Sequence, residues 1–483
     1  MTLSVNRLRA ALLAAAILLA TGDPPPRADA PAADPHVAEL DAAVKALVGK
    51  VRDAQIGVEI LDIHTGKVLA AHDAHLPLNP ASNAKIYTAA AALATLHGDH
   101  RYTTTLSGSQ KGATVSALTL RGHGDPSLRT ADLYALAQDL RAHGVKKVDG
   151  DLLVDQRGWD DQTTPPAYEQ KPDEWAAFRA PVSAVAVNEN TIILAVRPGA
   201  EGKNAQIAFD PPGFVDVEGT VSTVESGADN VSLVLSPTGR RLSAKVGGTI
   251  AQGSRLVRYT RRVDDPQLLA GYALRAVLDE VGVKVAGEVK LAAGGGRGVV
   301  LARHDSEPLS VLLHALGKQS DNFYAEMIFK SLSGETRKQA QAASSAEVVA
   351  RLLERHALGD PGVVLKNGSG LYDASRVTAH SAAKLLRWAY REPAIGPEFV
   401  AHLATGGVDG TLHKRLGHTH RAVRAKTGTL DDVIALSGYV LADEGRSPIA
   451  FSIVFNRVHG KGATARAAAD ALVGAIYKYL HPS

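Results

Sequence analysis

The two ends of the 483-residue chain read as parts of one layered domain, and a region of different texture separates them. Residues 36–54 place Val37, Leu40, Ala43, Val44, Leu47, Val48 and Val51 at helical spacing. Residues 56–63 and 67–71 then read as two strands around the turn His64-Thr65-Gly66. Asn79-Pro80-Ala81 is a break, after which Ser82 opens a helix of small residues through about Leu96. At the far end, residues 433–441 and 449–457 read as two more strands, and 463–480 as a closing amphipathic helix. Helices and strands contributed by both ends predict an α/β domain, one sheet sandwiched by helices. The middle, residues 103–263, consists of short strand-like runs (118–120, 152–155, 192–196, 231–235) between Gly, Asp and Pro turns. One helix-like stretch, 130–143, interrupts it, and no fixed repeat is present. The expected division is an outer domain over 36–103 and 264–480, with one or two strand-rich subdomains inserted at 104–263.

Composition narrows the chemistry. A net charge of +3 with interspersed signs leaves no electrostatic footprint for nucleic acid. Cysteine is absent, which removes disulfide scaffolds, thiol nucleophiles, zinc–cysteine sites and a lipid-modified N-terminal Cys. Arg7 and Arg9 precede an apolar run over residues 10–20, followed by Thr21, Gly22, Asp23 and Pro24 to Pro26. This order reads as a secretory signal peptide within residues 1–30. The run falls short of the ~20 residues that a spanning helix needs. The expected location is therefore periplasmic or secreted, with at most peripheral membrane association.

Three short motifs stand in order: Ser82-Asn83-Ala84-Lys85, Ser320-Asp321-Asn322 and Lys426-Thr427-Gly428-Thr429. Such a trio accompanies acyl transfer in penicillin-binding proteins and class A β-lactamases. The residue types suit that chemistry. A serine hydroxyl needs a base, and positions i and i+3 of a helix share a face, so Lys85 can sit beside Ser82. A lysine becomes a base only when desolvation or a second cation lowers its pKa, and Lys426 is a candidate for that cation. A helix start beside Ser82 offers N–H groups to an oxyanion. Ser320 can relay a proton and Asn322 can hold the lysine or a substrate carbonyl. Lys426 and Thr427 can bind a carboxylate. Gly428 is expected to clear space for a substrate backbone along a strand edge. A second S-x-x-K, Ser381-Ala382-Ala383-Lys384, reads as an ordinary helix start.

With these motifs, GHGDPSL (122–128), APVSAVAVNEN (180–190), KNGSGL (366–371), GGVDGTL (406–412) and RAKTGTL followed by LSGYV make the chain similar to class C low-molecular-mass penicillin-binding proteins. Those are D-alanyl-D-alanine carboxypeptidases that also act as D,D-endopeptidases. The resemblance implies a β-lactamase-like transpeptidase domain, helices around an antiparallel sheet. The 238 residues from Ser82 to Ser320 would accommodate the extra domains that β-lactamases lack. It further implies peptidoglycan stem peptides as substrates, β-lactams as inhibitors and no cofactor or metal. Ser82 would be the nucleophile, Lys85 its base, Ser320 the proton relay, Asn322 a positioning amide, and Lys426 and Thr427 the carboxylate anchor. The N–H groups of Ser82 and Thr429 would form the oxyanion hole. Asp173, with Phe178 beside it, matches the position that holds the amino end of a diaminopimelate side chain. Tyr372, Asp373 and Asp431 depart from the residues common in relatives.

Other classes fit less well. A peptidoglycan-binding protein with a degenerate site would not need Ser82, Lys85 and Lys426 intact, and a β-lactamase would not need the insertion. An α/β-hydrolase requires G-x-S-x-G, which is absent. His413, His418 and His420 lie in a Lys- and Arg-rich context that reads as a solvated loop. Asp409 and Asp125 read as turn-bracing residues.

Overall fold

The structure, a computed structural model, describes residues 35–294, 298–334 and 339–482. The signal peptide expected within residues 1–30 lies outside them. The two chain ends do meet in one sheet. Strand Gln55–Asp62 pairs antiparallel along its whole length with Ile449–Asn456, so Gly57 faces Val454. The order across this six-stranded sheet is Ala404–Thr405, Val423–Leu430, Val433–Val440, Ile449–Asn456, Gln55–Asp62, Val68–His72. All its pairs are antiparallel.

Every residue of Val433–Val440 is buried, which requires cover on both faces of the sheet. Helices Pro35–Lys50 and Gly462–Leu480 cover one face, joining Leu40, Val44 and Leu47 to Leu472, Val473 and Ile476 in one core. Helix Ala379–Arg391 covers the other face, beside the central helix Ala84–Leu96. The central helix is buried on nearly all sides, from Ala84 through Leu93. Its Ala89-Ala90-Ala91-Ala92 run lets neighbours approach closely, and a helix apolar all round belongs in an interior. Ser381 starts its helix as expected: Thr378 caps the Ser381 N–H at 3.0 Å, and the Ser381 hydroxyl donates to the Leu358 carbonyl.

The middle forms two cores. A seven-stranded sheet carries helices Thr130–Ala142 and Leu269–Glu280 on a cluster including Leu118, Leu133, Leu136, Leu274 and Val277. Smaller three- and four-stranded sheets between residues 191 and 262 enclose Leu194, Val196, Val221, Val246 and Ile250. The boundary expected at residue 264 is corrected. Helix Leu269–Glu280 packs in the seven-stranded unit, and Lys284–Val285, Val289–Leu291 and Val299–Asp305 pair with its strands. The outer domain resumes only after Asp305. The misplacement arose because the amphipathic helix resembles those of the outer domain and the returning strands are two, three and seven residues long.

Candidate active site

Ser82 sits in a single tight turn, Ala81–Asn83, that runs into the helix Ala84–Leu96. The turn is forced. Asn79 Oδ1 accepts from the Ala81 N–H at 2.9 Å, and Ala81 takes a left-handed conformation with φ 46°. One helical turn on, the Lys85 ammonium donates to Ser82 Oγ at 3.0 Å, Asn322 Oδ1 at 2.7 Å and the Ser369 carbonyl at 2.9 Å. Lys85 is fully buried, and burial lowers its pKa to about 7, while the carboxylates of Glu326 and Asp321 oppose the shift.

The Ser-Asp-Asn motif follows helix Leu309–His314 and a wide turn, Ala315–Gln319. That turn delivers Ser320 in a left-handed conformation, φ 64°. Asp321 caps the next helix, Asn322–Ser331, by accepting from the Tyr324 N–H at 2.9 Å. Ser320 Oγ thereby meets Lys426 Nζ at 2.8 Å, and Lys426 also donates to the Thr427 carbonyl at 2.7 Å. Lys426 is fully buried, and burial, then the Lys85 cation, holds its pKa well below the ordinary lysine range. Burial is the largest cause of the downward shift at both lysines.

Strand Val423–Leu430 pairs on its outer side with only Ala404–Thr405, opposite Ala425 and Arg424. Beyond Lys426 that side has no partner strand among the described residues. The open edge bounds a cleft of about 900 Å³ lined in part by Ser82, Ser320, Asn322, Thr429, Glu174 and Tyr372. Thr427 Oγ1 donates to Thr411 Oγ1 at 2.8 Å. The role expected of Gly428 is corrected. A Cβ there would lie 2.9 Å from the Pro80 carbonyl and 3.2 Å from Ala81 Cβ, so the glycine makes room for the turn that carries Ser82.

Asp173 is corrected as well. It is exposed and does not line the cleft, whereas Glu174 does, accepting from the Tyr372 hydroxyl at 2.7 Å. Buried Arg179 fixes that choice by donating to the Glu174 and Pro172 carbonyls, which sets the direction of the chain here. Lys171 and Asp431 also line the cleft, 4.0 Å apart and exposed. Asp409 braces its turn, accepting from the Thr405 N–H at 2.7 Å and Lys318 at 2.8 Å, and Asp125 does the same for Ser127. His413, His418 and His420 are exposed in the loop before Val423.

The sequence reading missed Ser369, Glu326 and the carbonyl of Phe178, to which Asn322 Nδ2 donates at 3.0 Å. Two signals were available. KNGSGL holds two glycines in four residues: Gly370 has φ +73°, and a Cβ there would meet the Ala81 carbonyl at 1.9 Å. Glu326 follows Asn322 by four residues, so both lie on one helix face.

The sequence and the fold have counterparts elsewhere. The profile of the D-Ala-D-Ala carboxypeptidase 3 (S13) family matches residues 37–478. The D-alanyl-D-alanine carboxypeptidase of Actinomadura sp. (strain R39) is 35% identical over 420 residues, 83% of this chain and 77% of the relative. DacB of Haemophilus influenzae is 25% identical over 419 residues, 81% of this chain and 83% of the relative. The crystal structure of penicillin binding protein 4 (dacB) from Haemophilus influenzae superposes with a TM-score of 0.75 at 24% identity, covering 91% of this chain and 99% of that one. The endopeptidase Bd0816 of Bdellovibrio bacteriovorus shares the fold at a TM-score of 0.52 and 14% identity, over 88% of this chain and 94% of that one. The chain belongs to the D-Ala-D-Ala carboxypeptidase 3 (S13) family, and it is a serine-type D-Ala-D-Ala carboxypeptidase.

Proposed function

We propose that the enzyme cleaves peptidoglycan stem peptides through an ester on Ser82. The observation that carries this is the 3.0 Å contact between Ser82 Oγ and Nζ of a fully buried Lys85. With a pKa near 7, a large fraction of Lys85 is neutral at neutral pH and can take the serine proton. Ser82 Oγ attacks the carbonyl of the penultimate D-Ala, and its proton passes to Lys85 Nζ. The oxyanion is received by the N–H groups of Ser82 and Thr429. The C–N bond breaks, and the leaving amine takes a proton through Ser320, whose hydroxyl Lys426 holds. Water then hydrolyses the ester and restores Ser82. Lys426 and Thr427 anchor the terminal carboxylate.

A β-lactam enters by the same attack and leaves a slowly hydrolysed ester. The cleft, about 900 Å³, is open, and D-Ala–diaminopimelate cross-links are proposed substrates alongside D-Ala-D-Ala ends. Action on peptidoglycan accords with export through the leader at 1–30. No helix among the described residues is long and apolar enough to cross a membrane. The test is labelled penicillin. Wild type takes up label and Ser82→Ala does not; an unlabelled wild type, or a variant labelled equally well, ends the proposal.

A further inference from the structure

Four residues beyond Asn322, Glu326 points the same way from the helix Asn322–Ser331 and is buried to 2% exposure. A carboxylate in such a place needs donors or a cation. It has two backbone donors: the Ser369 N–H gives 2.8 Å to Oε1 and the Gly368 N–H gives 3.1 Å to Oε2. Burial pushes the Glu326 carboxyl up from its ordinary range, and the two N–H donors and the Lys85 cation oppose that shift and favour the ionised form. The peptide unit continues on to Ser369, whose carbonyl accepts from Lys85 at 2.9 Å. Asn322, from the same helix face, accepts from the same ammonium at 2.7 Å.

We infer that Glu326 is a positioning residue: its carboxylate fixes the Gly368–Ser369 turn so that the Ser369 carbonyl meets Lys85, and its charge balances the lysine. This rests on the acyl-serine reading above. The other titratable or charged groups around the pair are Asp321 and Lys426 on the Lys85 side, and Tyr168, whose hydroxyl lies 3.1 Å from Ser369 Oγ. Lys330, Asp160 and Glu169 line a separate cavity of about 400 Å³ that Glu326 also borders. Lys330 is spoken for by Asp160 and the Gln162 carbonyl, so Lys85 is left as the cation that Glu326 serves.

The sign of the effect follows. The neutral amine is the base, so acylation rises with pH as Lys85 loses its proton. The Glu326 charge and the oriented Ser369 carbonyl both favour the protonated lysine. Removing them moves the rise to lower pH, by about one unit.

The experiment measures the second-order rate of Ser82 acylation by fluorescent penicillin, from about pH 5 to 9, for the full-length wild type, Glu326→Gln and Glu326→Asp. In Glu326→Gln the rising limb shifts about one unit to lower pH and the high-pH plateau falls, because one N–H of the turn then faces an amide NH₂. In Glu326→Asp the limb stays within a few tenths of wild type, while the shorter side chain lowers the plateau about tenfold or more. A structural defect alone lowers the plateau without moving the limb. A Glu326→Gln limb coincident with wild type overturns the inference, as does a Glu326→Asp limb displaced equally. Should Glu326→Gln not fold, a Glu326→Asp plateau equal to wild type overturns it. Failure of wild type to acylate at Ser82 overturns the acyl-serine reading itself, a result distinct from either variant's.

Discussion

Gly428→Ala tests the packing of the site at its tightest point. The added methyl would sit 2.9 Å from the Pro80 carbonyl, 3.1 Å from Ala435 Cβ and 3.2 Å from Ala81 Cβ. Ordinary contact begins near 3.4 Å, so strand and turn must separate by about 0.5 Å. Neither side yields easily. The strand is paired with Val433–Val440 from Val423 to Leu430, and the turn is pinned by Asn79 and by Gly370 against the Ala81 carbonyl. Overpacking of this kind costs about 1–3 kcal/mol of stability. The effect on rate is larger than that cost suggests, because the moving part carries Ser82. A misplacement of about 1 Å can cost about 100-fold, so half that distance predicts a loss on the order of 10-fold in the limiting acylation rate. The assay is stopped-flow acylation by fluorescent penicillin over a concentration series, with a thermal melt as control. The limiting rate falls, and the half-saturating concentration moves less than about threefold. The opposite pattern, an intact limiting rate with a raised half-saturating concentration, would mean that the glycine makes room for substrate and would refute the packing argument.

Acylation of wild type should rise with pH through a midpoint near 7, because burial brings Lys85 to that value and only the neutral amine can accept the serine proton; a pH-independent rate between about 5 and 9 would contradict it. Lys85→Met should lower the acylation rate by about 10²–10⁴, the usual worth of a positioned base, measured at a pH above 8 to separate chemistry from charge. A D-Ala-D-Ala peptide with an amidated C-terminus should lose about 10- to 100-fold in kcat/KM, since hydrogen bonds to a charged group contribute about 1.5–3 kcal/mol, and Lys426→Met should abolish the discrimination between acid and amide. Asp173→Ala should leave turnover of side-chain-bearing stem peptides unchanged, whereas Glu174→Gln should raise KM, because Glu174 alone of the two lines the cleft.

The outer domain was legible because its elements carry strong local patterns. The terminal helices have a clear apolar period, and the four strands near the chain ends are bounded by turn residues. The Ser82, Ser320 and Lys426 triad was legible because its members recur as fixed short strings. What remained hidden depends on packing between distant segments. Nothing local distinguishes Asp173 from Glu174; the choice is made by Arg179 reaching back to the Pro172 and Glu174 carbonyls. The substrate role read into Gly428 failed for the same reason, since its neighbour is Pro80, 348 positions earlier. The end of the insertion was missed because three short strands are recognisable only by the sheet they join.

The insertion is also part of the site's chemistry. In the proposed mechanism Lys85 works as a base only while burial keeps its pKa near 7. The Gly368–Ser369 turn packs beside it through the Ser369 carbonyl, and the segment around residues 160–180 holds that turn in place. Asn367 Nδ2 donates to the Pro166 carbonyl at 2.9 Å, Tyr168 meets Ser369 Oγ at 3.1 Å, and Asn322 is tied to the Phe178 carbonyl. Arg262, on the last strand of the inserted three-stranded sheet, anchors the same segment by donating to the Pro172 and Glu174 carbonyls, with its guanidinium 5.0 Å from the Trp175 ring. A chain cut back to its outer domain would keep Ser82, Lys85 and Lys426 but lose these contacts. Rehydrated, Lys85 would return towards an ordinary lysine, protonated at neutral pH and unable to accept the serine proton. Residues lying between Ser82 and Ser320 thus hold the turn whose Ser369 carbonyl accepts from Lys85.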